Sequence, residues 1–77
     1  MDLKEPLEFF IKSVSKEPQL VKISEKFEGK KVIYEIFVSE EDIGQIIGKD
    51  GRTIKSIDLI LRSLKKGEGE FELKVIR

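Results

Sequence analysis

Apolar residues recur every three or four positions near the start of this chain, then at every second position. The helical spacing returns, and the chain ends on alternation. Leu7, Phe10, Ile11 and Val14 make one helical stripe. Pro6 suits its first turn, Pro18 ends the pattern, and Phe9 lies off the stripe at its edge. Val21, Ile23 and Phe27 then point one way, and Lys22, Ser24 and Lys26 the other. Glu25 interrupts the apolar side, which predicts a short or edge strand. After the turn Glu28-Gly29-Lys30, Val32, Tyr34, Ile36 and Val38 alternate with Ile33, Glu35 and Phe37, so the two runs read as a hairpin. Ser39-Glu40-Glu41-Asp42 predicts a helix start, with a hydroxyl cap and acids at the positive end of the dipole. Ile43, Ile46 and Ile47 form the apolar face of this helix, and Gly48 closes it. In the longer helix that follows, Ile54, Ile57, Ile60, Leu61 and Leu64 fall within an arc of about 120°. Lys65-Lys66-Gly67 gives it a basic last turn and a glycine stop. Phe71, Leu73 and Val75 alternate with Glu72, Lys74 and Ile76 in a last strand.

The order is therefore α-β-β-α-α-β. Each strand has one apolar face, so helices on that face of a three-stranded sheet complete a two-layer α+β domain. At 77 residues the chain is expected to be one domain, residues 1–77, burying only roughly 60% of its unfolded surface.

Composition narrows the chemistry. Neither cysteine nor histidine is present, which removes thiolate and imidazole ligands, disulfides, a cysteine nucleophile and the usual neutral-pH general base. No desolvated carboxylate pair stands out, so an enzyme, a metal site and a cofactor are not expected. No apolar run approaches the roughly 20 residues that span a bilayer, and Met1 to Pro6 is unlike a signal peptide. A cytoplasmic location without membrane insertion is the expectation. The fifteen basic and fifteen acidic residues balance, yet Ile43 to Gly67 holds six basic residues against Asp50 and Asp58. A basic segment in a neutral chain suits a phosphate-facing side or, equally, a solvated helix face.

Gly48-Lys49-Asp50-Gly51 sits between the two later helices. It is not a Walker A loop: three residues separate Gly44 from Gly48, and Asp50 follows Lys49. It is not a dinucleotide fingerprint either, since no Gly-x-Gly precedes it. Taken alone, Gly48 is a helix stop and Asp50 an N-cap. The full run from Ile47 to Ile57, I-G-x-x-G-x-x-I-x-x-I, resembles the signature of the KH domain, whose GXXG loop clamps about four nucleotides of backbone. The element order resembles the type II version of that fold. In length the chain is similar to small bacterial single-KH proteins of the KhpA (YlqC) family.

That resemblance implies single-stranded RNA as partner, and a role as RNA chaperone or post-transcriptional regulator. Bare peptide at Gly48 and Gly51 would let a phosphodiester lie close, at the head of a helix whose dipole favours an anion. Lys49 and Arg52 would add charge-assisted contacts, with Lys55 one turn on. Ile47 and Ile54 would floor the groove, and the strand from Phe71 to Ile76 would form its far wall. Asp50 opposes phosphate unless its carboxylate turns back to cap the helix, and Asp58 adds a second anion.

A second surface is also expected. Leu59 lies off the helix stripe with small Ser56 and Ser63 beside it, which would admit another helix. The resemblance implies a homodimer, or a heterodimer with a larger Jag-type KH protein. The alternative function is accordingly a protein-interaction module acting through dimerisation in a cell-division or envelope-growth complex. On the sheet face away from the helices, Ile33, Phe37 and Ile76 stand among Lys22, Ser24, Lys26, Glu35 and Lys74.

Overall fold

A computed structural model describes residues 3–65 and 69–77. Helix α1 (Lys4–Val14) leads through a 3-10 turn at Pro18–Leu20 into β1 (Lys22–Glu28) and β2 (Lys31–Phe37). Helix α2 (Glu40–Ile47), a 3-10 turn at Lys49–Gly51 and α3 (Arg52–Leu64) follow, and β3 (Glu70–Val75) ends the fold. The expected order holds. The last strand begins at Glu70 and stops one residue before Ile76, whose N–H still donates to the Ile36 carbonyl at 3.0 Å. Of the basic last turn and stop expected at Lys65-Lys66-Gly67, Lys65 lies just past the end of α3 as its extended C-cap, and Lys66 and Gly67 lie outside the described residues.

The strands run β1-β2-β3 across the sheet. β1 pairs antiparallel with β2, Ile23 opposite Ile36 and Glu28 opposite Lys31, so a two-residue loop closes the hairpin. β2 pairs parallel with β3, Val32 opposite Phe71 and Ile36 opposite Val75. A parallel pair needs a long crossover, and α2 with α3 supplies it. β1 lies at one edge, as Glu25 implied, but runs for seven residues.

Alternation puts Ile23, Tyr34, Ile36 and Phe71 on one sheet face, where Leu3, Leu7, Ile11, Ile46, Ile57 and Leu61 complete the core. Tyr34 and Phe71 meet edge to face, their centroids 6.3 Å apart. The opposite face carries cross-strand charges, including Lys26 with Glu35 at 3.7 Å and Lys31 with Glu72 at 3.2 Å. Ile33 and Ile76 are half-buried there and Phe37 is exposed.

Expectations for Phe27, Ile60, Leu64 and Ile43 change, and Leu3 joins the core without having been singled out. Phe27, read as inward, is 72% exposed because it sits at the hairpin end of the edge strand, outside the core cluster. Ile60 and Leu64 belong to the α3 stripe but are exposed, since the core takes only its centre, Ile57 and Leu61. Ile43 is half-buried and Ile46 alone anchors α2 in the core. Leu3, which precedes the stripe, is buried: its carbonyl accepts the Leu7 N–H at 3.0 Å and starts α1.

Asp42 is fully buried, not a solvated acid of the first turn. Its carboxylate accepts the backbone N–H groups of Lys16 (2.9 Å) and Glu17 (3.0 Å) and the Ser39 hydroxyl (3.0 Å). The start of α2 is thereby tied to the segment that leaves α1. The Lys16 N–H is the main cause that holds the Asp42 pKa below its ordinary value. Burial pushes the other way, and the Glu17 and Ser39 donors add to the lowering.

Candidate functional site

Three of the four residues between α2 and α3 have positive φ. Gly48 ends α2 at φ 76°, ψ 175°, Asp50 takes φ 56°, and Gly51 is the N-cap of α3 at φ 74°, ψ 16°. The Gly48 conformation belongs to a region that is essentially glycine-only. A Cβ there would stand 2.3 Å from Thr53 Oγ1 and 2.8 Å from both the Thr53 Cβ and backbone nitrogen. The space left bare at Gly48 is thus filled by the protein's own Thr53. At Gly51 a Cβ would have nothing within 4 Å. Of the two glycines expected to lie bare under a bound strand, only Gly51 faces open space.

Asp50 does not cap α3. No side-chain cap bond is made at the start of this helix, the N-cap position belongs to Gly51, and the Asp50 carboxylate is exposed. The loop is closed by backbone instead: Gly51 N–H donates to the Gly48 carbonyl at 3.2 Å, and Arg52 N–H to that of Lys49. Lys49, Arg52 and Lys55 are exposed, and among the described residues none is held in an ion pair. Asp58 is paired with Arg62 one turn along α3, so its charge is compensated inside the protein.

A groove of about 450 Å³ opens between α3 and β3 beside this loop. Asp50 and Gly51 stand at its end. Ile54, Lys55, Asp58 and Leu59 form the helix side, and Leu73 the strand side. Ile54 and Leu73 are half-buried against the core and supply an apolar floor. The structure therefore brings together Asp50, Gly51, Ile54 and Lys55 from the expected set. Lys49, within the loop, Arg52, the first residue of α3, and Ile47, half-buried at the end of α2, are not among the lining residues. Leu59, assigned to a separate surface, lines the same groove while remaining 65% exposed. Ser56 and Ser63 are exposed beside it.

A family model for the KhpA/KhpB KH domain matches residues 4–76. The chain belongs to this KhpA/KhpB family. An "RNA-binding protein KhpA" of Thermotoga maritima is 47% identical over 75 residues, covering 97% of this chain and all of that protein. Proteins of the same name from Chlamydia pneumoniae and Clostridium perfringens are 45% and 36% identical over about four-fifths of each chain. No solved structure gives a significant match. The α-β-β-α-α-β order around a mixed three-stranded sheet is the type II KH arrangement.

In this KH domain two contacts escaped sequence reading, one in the groove and one at the far end of α2. Arg62 lies over the Phe71 ring, its guanidinium carbon 4.6 Å from the centroid. Asp42, in the first turn of α2, latches that helix to the segment that follows α1. An i,i+4 acid–base spacing announced the Asp58–Arg62 pair, and Ser39-x-x-Asp42 has the spacing of a capping box, but neither pattern says which distant group the side chain also meets. Among the described residues no cluster of metal-ligating side chains occurs, and no helix is long and apolar enough to cross a membrane.

Proposed function

We propose that the chain binds single-stranded RNA along the α3–β3 groove and acts by binding, without catalysis. The observation that carries this reading is the open apolar groove beside the loop, with three cations, Lys49 in the loop and Arg52 and Lys55 at the start of α3, held in no ion pair among the described residues. A strand passing the loop would lie against bare peptide at Gly51 while Lys49 and Arg52 reach its phosphates. Lys55 stands one turn further on, and Ile54 meets a base by dispersion. Relatives named as RNA-binding support RNA as the polymer. With about two to three phosphates neutralised, log K against log salt should slope by roughly −1.5 to −2. RNA chaperoning or post-transcriptional regulation in the cytoplasm is the role this binding would serve.

Titration of the ¹⁵N-labelled protein with mixed-sequence single-stranded RNA tests the reading. Amide signals from Gly48 to Lys55 should move, and those of the Lys22–Glu28 edge strand should stay. Silence around the loop would reject it.

A second reading rests on α3. Ser56 and Ser63 fall on the helix surface between Leu59 and Ile60, which are 65% and 42% exposed. This face fits another helix, from a second copy or from a larger Jag-type KH protein. Wild type should sediment as a heavier species than Leu59→Arg at high concentration, and equal masses remove the idea.

A further inference from the structure

The groove continues past Asp58 and Leu73 into a polar section of about 330 Å³, bounded by Lys31, Arg62, Glu70, Phe71 and Glu72. Three carboxylates against two cations leave this section at a formal charge of −1. Its cations are also committed, Arg62 to Asp58 and Lys31 to Glu72 at 3.2 Å. A phosphate entering here would be repelled by carboxylates at short range, whereas a neutral nucleobase would carry no net charge for them to repel.

Arg62 is built to meet a base. Its Nε donates to the Asp58 carboxylate, its Nη2 to the Phe71 carbonyl oxygen at 3.5 Å, and its guanidinium carbon lies over the Phe71 ring, 4.6 Å from the centroid. Contacts from α3 and β3 together hold the guanidinium in one orientation, so little rotamer freedom remains to be lost on binding. Phe71 is buried, while the Arg62 side chain is 53% exposed and lines the groove. The guanidinium therefore lies over the buried ring and is itself left half-exposed in the groove. Guanidinium planes stack on unpaired bases as aromatic rings do.

We infer that Arg62 is the stacking platform for a base lying beyond the nucleotides at the glycine loop, in a domain whose groove otherwise offers aliphatic surface. This rests on the RNA-binding reading of the same groove.

Fluorescence anisotropy with a hexanucleotide carrying one abasic residue, moved along the strand, tests it. Wild type should lose about five-fold or more in affinity at one position far from the loop-bound phosphates. Arg62→Lys keeps the charge and loses the plane. It should weaken the intact hexamer by a similar factor, leave the salt slope unchanged, and erase the abasic penalty at that position alone. Without any variant, the Arg62 Nε–H signal should shift with the intact hexamer and stay put with the abasic one. Wild-type affinity in Arg62→Lys, or an unshifted Nε–H signal with intact RNA, overturns the inference. If Lys49→Ala/Arg52→Ala binds RNA as wild type does, the groove reading fails first and takes this inference with it.

Discussion

Gly48 and Gly51 share nearly the same φ, 76° and 74°, and stand three residues apart, yet a methyl group added to each would meet different surroundings. At Gly48 it would collide with Thr53, in a backbone conformation that side chains avoid. At Gly51 it would project into open space, from an αL conformation that Asn and Asp tolerate. One glycine therefore lets α2 and α3 come together, and the other keeps the groove entrance clear. A GXXG motif reads as one functional unit in sequence, but here its first half belongs to the fold and its second half to the surface. The same division runs through the neighbouring residues. Behind Gly48, Ile46 is in the core and Asp42 is latched to Lys16 and Glu17. Around Gly51, Asp50, Arg52 and Lys55 are all exposed.

The largest effect should come from Gly48→Ala. Backbone strain and the Thr53 collision together should cost about 3 kcal/mol. At ~4–8 °C per kcal/mol, thermal unfolding should then show a Tm lower by roughly 12–24 °C. Thr53→Ala in the same chain should restore only part of this, because the Thr53 Cβ and nitrogen remain within 2.8 Å. A Tm within about 2 °C of wild type would break the comparison on its inner side.

Asp42→Asn should come next. The Asp42 pKa is lowered in the native state, so its stabilisation is complete above the ordinary value of 3.8 and is lost as pH falls through the native value. A protonated carboxyl resembles the amide of asparagine. The gap in Tm between wild type and variant should accordingly be constant from neutral pH down to about 5 and narrow below 3.8. A gap that widens on acidification would contradict the latch. Gly51→Ala should be milder than either variant, about 1–2 kcal/mol from the αL conformation alone. Calorimetry of the two alanine variants side by side sharpens the contrast between the glycines.

Asp50→Asn should have the smallest effect. Asparagine accepts φ 56° as readily as aspartate does, so stability should not change. Removing an exposed anion beside Lys49 and Arg52 should tighten RNA binding by about two- to five-fold at low salt and less at high salt. Equal gains at both salt concentrations would show that the carboxylate acts by some route other than its charge.

Much of this was legible in the chain. The periods of 3.6 and 2 gave the three α-helices and three strands in order, though not the two 3-10 turns, because each period follows from backbone geometry within a few residues. They gave direction without extent. Phe27, Ile60 and Leu64 point toward the apolar side, but only the placement of neighbouring elements decides that they end up exposed. The burial of Asp42 is hidden from the sequence for a related reason: two of its three partners lie 25 and 26 residues away and are backbone groups, which leave no mark on side-chain pattern. At the site, the loop and its cations could be read directly. The filling of the Gly48 side by Thr53, the absence of an Asp50 cap and the stacking of Arg62 on Phe71 are tertiary facts.

The central claim is that Gly51 is kept bare for a ligand. Gly51→Asp tests it most directly, since aspartate accepts the αL backbone, is favourable at an N-cap and fills only open space. Circular dichroism should show a native fold, and anisotropy with mixed-sequence single-stranded RNA should show at least a ten-fold loss of affinity. A native fold with undiminished RNA binding would contradict the account.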